Sequence, residues 1–238
     1  RQGMPSWSLQ LPVLVTYLTD VPADWALGLS AAKHGYPLVL VGHGRRWSSF
    51  TGRLPGLSRA VQIIDALAVG GKHAHILAVD GADTAVINSA ASAMPAIRAA
   101  QAHGAAESTV LVNAECNSAP GCYISMYARD KLHQACLQKS PACFVNAGAI
   151  LGTGVALTRT WHAVERHAAA GKGREHSDDQ FGLHQLYLSQ RATNLSVRVD
   201  SSSSVFLSLR QCVRARIGRS FHTHPHPSTP IHTHPHPS

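Results

Sequence analysis

The amino-acid sequence predicts a single α/β domain built on a mostly parallel sheet flanked by helices. Three observations predict it. Short branched-apolar runs end at Gly or Asp, as buried parallel strands do. Helix-length segments separate those runs in strict alternation, the pattern of strand, crossover helix and strand. The chain has 238 residues of which 45% are hydrophobic, enough apolar material for one sizeable core and too little for two.

The first strand is expected at "LPVLVTY" (11–17), and "PLVLVG" (37–42) and "HILAVD" (75–80) repeat its pattern. Between the first two lies "ADWALGLSAAKHG", of helix length and closed by Gly35, a residue suited to the left-handed helix terminus. Between the second and third lies "LSRAVQIIDALAVGG", where Leu57, Val61, Ile64 and Ala68 fall on one helical face before Gly70 and Gly71. A helix of small residues follows at about 89–103, then the strand "STVLVNAE" (108–115), a Cys- and Pro-containing irregular region, and "CFVNAGAILG" (143–152). Residues 158–170 have helical character, and "SDDQFGLHQLYLSQ" (177–190) reads as a helix with an acidic first turn, which suits the helix dipole. Asp200, a four-serine run and "VFLSL" close the folded part, so the domain spans 10–209. Residues 210–238 are an Arg-rich piece and then "HTHPHPS" twice, joined by "TPI". Proline at that density excludes helix and central strand, and an extended tail is expected.

The formal charge is +8, from 21 Lys and Arg against 13 Asp and Glu. Four of those arginines (Arg210, Arg214, Arg216, Arg219) lie after residue 209, where no acid follows, so residues 1–209 carry 17 − 13 = +4. Such a mild balance argues against a nucleic-acid partner. No apolar run approaches the roughly 20 residues of a membrane span, and none is expected. Cys116, Cys122, Cys136 and Cys143 match no zinc-site spacing. They fit two disulfides in an oxidising compartment or buried thiols equally well, with Cys212 left over.

Ligands of open parallel sheets collect beyond the carboxyl ends of the strands, and Asp80 ends the third one. With Gly81 in a tight turn, Asp80 and Asp83 can direct two carboxylates at one hard cation, Mn²⁺ or Mg²⁺, which takes further oxygens from a phosphate substrate. The same "DGAD" also reads as an Asx-type turn before the next helix. Asp178–Asp179 likewise reads as an ordinary acidic helix start.

The ordered blocks "LVLVGHGRRW", "ILAVDGADTAVI", "VLVNAEC", "FVNAGAILG", "SDDQFGLHQLYL" and "LSVRVDSSSSVF" resemble the glycosyltransferase domain of the procollagen-lysine hydroxylase/glycosyltransferases and related collagen-type glycosyltransferases. The resemblance implies a GT-A-like, Rossmann-like fold, UDP-glucose or UDP-galactose as donor, Mn²⁺ as cofactor, and a hydroxyl acceptor such as hydroxylysine of a collagen-like protein or peptide. It implies that Asp80 and Asp83 hold metal and diphosphate, that Trp47 packs near the nucleotide, and that Arg59 is the basic residue near the second helix. Glu115, Asn146 and Gln180 are implied to line the sugar and acceptor pocket, with Asp178 and Asp179 contacting the donor sugar or assisting the acceptor. A secretory-pathway location, endoplasmic reticulum or Golgi lumen, follows from the same resemblance.

The chain also departs from that family. Ala82 stands where an aromatic is usual, Arg59 where a lysine is, and the Arg-rich piece and His-Pro repeats replace a metal-ligating His beyond the last strand. The alternative expectation is therefore a relative that binds sugar nucleotide or a protein partner without turnover. A third expectation is metal uptake by the tail histidines His222, His224, His226, His232, His234 and His236.

Overall fold

The computed structural model describes residues 11–68, 73–102, 107–115, 144–172, 176–189 and 194–206. The four clustered cysteines, Cys212 and the whole 210–238 tail lie outside the described residues. Among the described residues the fold is α/β: a six-stranded mixed sheet, mostly parallel, flanked by five helices.

In chain order the elements are β1 (Val13–Tyr17), α1 (Ala26–His34), β2 (Leu38–Val41), α2 (Leu54–Leu67), β3 (Ile76–Val79), α3 (Ala90–Gln101), β4 (Thr109–Glu115), β5 (Phe144–Gly152), α4 (Gly154–Ala169), α5 (Asp179–Ser189) and β6 (Ser196–Val199). The expected alternation holds through β3, and Gly35 ends α1 with φ +72°, where a side chain would be strained. Helix α2 begins at Leu54, earlier than its apolar spacing indicates, because a 3₁₀ turn at Thr51–Arg53 leads into Pro55 in the first helical turn. Strand β6 is an element that hydrophobic patterning did not isolate. Only Val197 of its four residues is buried, and it is held as a parallel neighbour of β4.

The strand order is β2-β1-β3-β5-β4-β6. Strands β1, β2 and β3 are parallel, as are β4 and β6, whereas β5 runs antiparallel to both β3 and β4. The sheet is mostly parallel, as expected, and this one strand is the exception; its nine residues alternate no more clearly than a buried parallel strand would. Its direction matters for function. The middle of β5 lies beside the carboxyl end of β3, with Val79 opposite Ala149 and the Asp80 amide donating to the Gly148 carbonyl at 2.7 Å.

Both sheet faces are covered, which explains why β1 reads as an unbroken apolar run. Val13 and Val15 pack with α2, α4 and α5 residues, including Leu57, Val61, Leu157, Trp161 and Leu183. On the opposite face Leu14 packs with Leu27 and Ala31 of α1 and Met94 and Ile97 of α3. Close helix contact on the first face depends on small residues. A Cβ at Gly182 of α5 would lie 2.3 Å from the Val164 carbonyl oxygen of α4, and one at Gly154 would lie 2.5 Å from the Val61 carbonyl oxygen of α2.

Candidate functional site at the carboxyl end of the sheet

The chain leaves β1 for β2 on one side and returns to β3 on the other, so the carboxyl ends of β1 and β3 flank the point where strand order reverses. Open α/β sheets bind ligands in that crevice. Tyr17 ends β1 and Asp80 directly follows β3. Both line a pocket with Arg53, Ala147, Trp161 and Asp179.

Arg53 organises the polar part of this pocket. Its Nη1 donates to Asp80 Oδ1 at 2.6 Å, while Nη2 and Nε donate to Asp179 Oδ2 at 2.6 and 3.2 Å. One guanidinium thus joins the end of β3 to the first residue of α5. The Arg53 and Asp179 side chains are 11% and 9% exposed, against 37% for Asp80. Burial alone lowers the Arg53 pKa, but the charges and hydrogen bonds of Asp179 and Asp80 outweigh it and hold the guanidinium above its ordinary value. Burial pushes the Asp179 carboxyl above the usual carboxylate range; Arg53 pulls it back, and Asp80 and Asp178 add to the upward push. Removing either member of so buried a pair costs about 3–5 kcal/mol, because the other charge is stranded.

Gly148 extends the site along β5. A Cβ there would lie 2.9 Å from Asp80 Oδ2 and 2.8 Å from Asn146 Oδ1, so glycine keeps the space between these two side chains open. Asn146 Oδ1 accepts from the Gly148 amide at 2.8 Å and from Asn113 Nδ2 at 3.3 Å, and Asn146 Nδ2 donates to Glu115 Oε1. The β4–β5 register shift between Val112 and Asn113 places Asn113 opposite Asn146, turning two asparagines onto one face. The polar row therefore runs Asp179, Arg53, Asp80, Gly148, Asn146, Glu115.

The bend after β3 is also held. Trp25 Nε1 donates to the Gly81 carbonyl at 2.6 Å. A side chain at Gly81 would meet Thr16 Oγ1 at 2.9 Å. On the opposite rim, Trp47 packs edge-to-face with Tyr17 at 6.2 Å and with Phe50 at 5.4 Å, and the Phe50 ring centroid lies 5.8 Å from Arg53 Cζ. Trp47 and Phe50 are exposed, so an aromatic edge borders the charged pocket.

Of the residues expected from the sequence, the structure brings together Asp80, Asp179, Asn146 and Glu115, with Trp47 joined to them through Tyr17 and Phe50. Asp83 is exposed in the bend at 81–83. Asp178 acts as the helix cap of α5: its Oδ1 accepts the Gln180 and Phe181 amides at 2.9 and 3.3 Å. Gln180 follows in the first turn of that helix, and Arg59 is exposed on α2 outside the pocket lining. The cation in the site is Arg53, which sequence reading missed because it stands in a 3₁₀ turn with no periodic signal.

Among the described residues no group of three or more His, Cys, Asp or Glu side chains could hold a metal ion. A hard cation that draws most of its oxygens from a phosphate needs fewer. Asp80 Oδ2 accepts no hydrogen bond from any described residue and faces the space that Gly148 leaves open. The residues fit such an ion in that limited sense through Asp80 Oδ2, with Asp83 exposed in the adjoining bend.

An α/β domain with an acidic, arginine-bridged and aromatic-edged site at its strand-order reversal is the class that fold and geometry define. No protein-family model matches this chain, and no curated protein sequence does.

Proposed function

We propose that this chain is a glycosyltransferase domain that binds a UDP-sugar, UDP-glucose or UDP-galactose, at the carboxyl end of its sheet and transfers the hexose to a hydroxyl acceptor. One observation carries the reading: Asp80, at the end of β3 beside the strand-order reversal, bonds Gly148 of β5, faces Asn146 across the space that glycine leaves and, through Arg53, is joined to Asp179 of α5. The chemistry asks for that set. A departing diphosphate needs charge compensation, and the sugar needs orienting groups on the opposite side. Asp80 and Asp83 would hold Mn²⁺, whose contribution is to neutralise charge on the leaving diphosphate. Trp47 and Phe50 offer aromatic faces to the nucleobase. Asn146, held by Asn113 and Glu115, presents a fixed amide to sugar hydroxyls. Hydroxylysine of a collagen-like protein, met in the secretory pathway, is the acceptor that the sequence resemblance favours.

A second reading, nucleotide-sugar binding without turnover, is favoured by the state of the acid pair. Asp179 is buried against Arg53, and Asp178 is engaged in capping α5. Measuring UDP release from UDP-glucose and UDP-galactose, with Mn²⁺ and with and without a hydroxylysine peptide, separates the two. Peptide-stimulated release supports transfer. UDP binding with no release under any condition supports the second reading and sinks the first.

A further inference from the structure

We propose that Arg53 is an exchangeable counter-ion: its Nη1 leaves Asp80 when a divalent cation takes that carboxylate and turns to the donor diphosphate, while Asp179 keeps the rest of the guanidinium in place. The inference rests on the nucleotide-sugar reading above and deepens it. The asymmetry of the bridge carries it. Asp179 receives two N–H groups on one oxygen, through Nε and Nη2, and is 9% exposed; Asp80 receives one, through Nη1, and is 37% exposed. The buried end is the pivot, and the exposed end is the one that solvent or a ligand can compete for.

Charge favours the exchange. Asp80 and Asp179 bring two carboxylates to the pocket lining, against the single described pocket cation Arg53. A diphosphate entering while Arg53 remains committed to carboxylates meets net negative charge. If a cation relieves Asp80, Nη1 becomes a free donor at the pocket wall, and guanidinium and cation can both face phosphate oxygens. Phe50, 5.8 Å from Arg53 Cζ, guides the guanidinium plane without fixing its partner. Cation and nucleotide binding are then cooperative through one residue, and in the absence of ligand Arg53 shields Asp80 from adventitious cations.

This predicts opposite movements of two affinities. In Arg53→Gln, Asp80 loses its competitor, so Mn²⁺ alone, followed by the electron paramagnetic resonance of free Mn²⁺, binds about five-fold more tightly. UDP in saturating Mn²⁺, followed by calorimetry, binds about ten-fold more weakly. Because Arg53→Gln strands a buried Asp179, the double variant Arg53→Gln with Asp179→Asn is measured alongside. It replaces the pair by neutral groups with no change in net charge and is expected to move both affinities as the single variant does. Affinities for Mn²⁺ and UDP that fall together, or do not change, in the folded double variant overturn the exchange while leaving the nucleotide-sugar reading intact. A wild-type chain that binds neither Mn²⁺ nor UDP overturns both.

Discussion

Acidification from pH 7 to pH 5 should cost this fold about 2 kcal/mol through His184 alone. His184 is completely buried in α5, and burial pushes its pKa down to about 3 from an ordinary 6.5. Above 6.5 the ring is neutral in both folded and unfolded chain, and its contribution to stability is fully present. Between 6.5 and about 3 the unfolded chain takes up a proton that the folded one refuses, so stability falls as pH falls, by about 1.4 kcal/mol per unit. From pH 7 to pH 5 about one and a half units of that window are crossed, which yields the 2 kcal/mol. Against a whole-domain stability of about 5–15 kcal/mol the loss is easily measured. Urea unfolding of wild type and His184→Leu at pH 7, 6 and 5 isolates it, because every other titrating group is common to both proteins. The different packing of leucine in the imidazole's place offsets the variant's curve by an amount that does not depend on pH. The difference between the two proteins should change by about 2 kcal/mol across the range, with wild type losing more. Parallel pH profiles would refute the reasoning.

Asp200→Ala should destabilise the domain by roughly 3 kcal/mol, since the carboxylate accepts the Ser204, Val205 and Phe206 amides and the Ser204 hydroxyl; chemical denaturation checks it, and Asp200→Asn should recover part of the loss. Gly182→Ala should lower stability by about 1–3 kcal/mol despite alanine's better helix propensity, because the Val164 carbonyl oxygen 2.3 Å from the new Cβ is backbone and α4 must move; a lower thermal midpoint is the readout. Gly148→Ala should leave the fold intact and weaken Mn²⁺-dependent UDP binding about ten-fold, or about 1.4 kcal/mol, by crowding Asp80 Oδ2 and Asn146 Oδ1; calorimetry on the folded variant reads it.

The elements that a sequence reveals are those with a strong period or a strong stop. Strand β1, with branched residues buried on both faces, and α1, closed by Gly35, were legible because packing and backbone geometry left their mark on residue type. The antiparallel course of β5 was not, since strand direction is decided by connections and leaves no local trace. Strand β6 was hidden by its incomplete burial: of Ser196, Val197, Arg198 and Val199 only Val197 is fully buried and the others are half-buried.

The site follows the same division. Asp80 could be placed from the sequence because a strand end fixes where its carboxylate emerges, and Asn146 and Glu115 were placed by resemblance. Arg53 was beyond reach, since its role depends on a 3₁₀ turn bringing one side chain between two acids that are 27 and 126 residues away. Asp178 and Asp179, adjacent in sequence, divide their work. One caps α5 through backbone amides; the other turns inward to Arg53. No property of an Asp-Asp dipeptide announces that difference, which arises from the direction in which the helix starts.

The most direct test of the strand-end site is calorimetric titration of UDP into the wild-type chain and into Asp80→Ala with Asp83→Ala, each with and without Mn²⁺. Mn²⁺-dependent UDP binding is expected of wild type and its loss of the double variant, with thermal unfolding showing that the variant remains folded. UDP binding that survives both substitutions unchanged, or a wild-type chain that binds no UDP with Mn²⁺ present, would contradict the strand-end site.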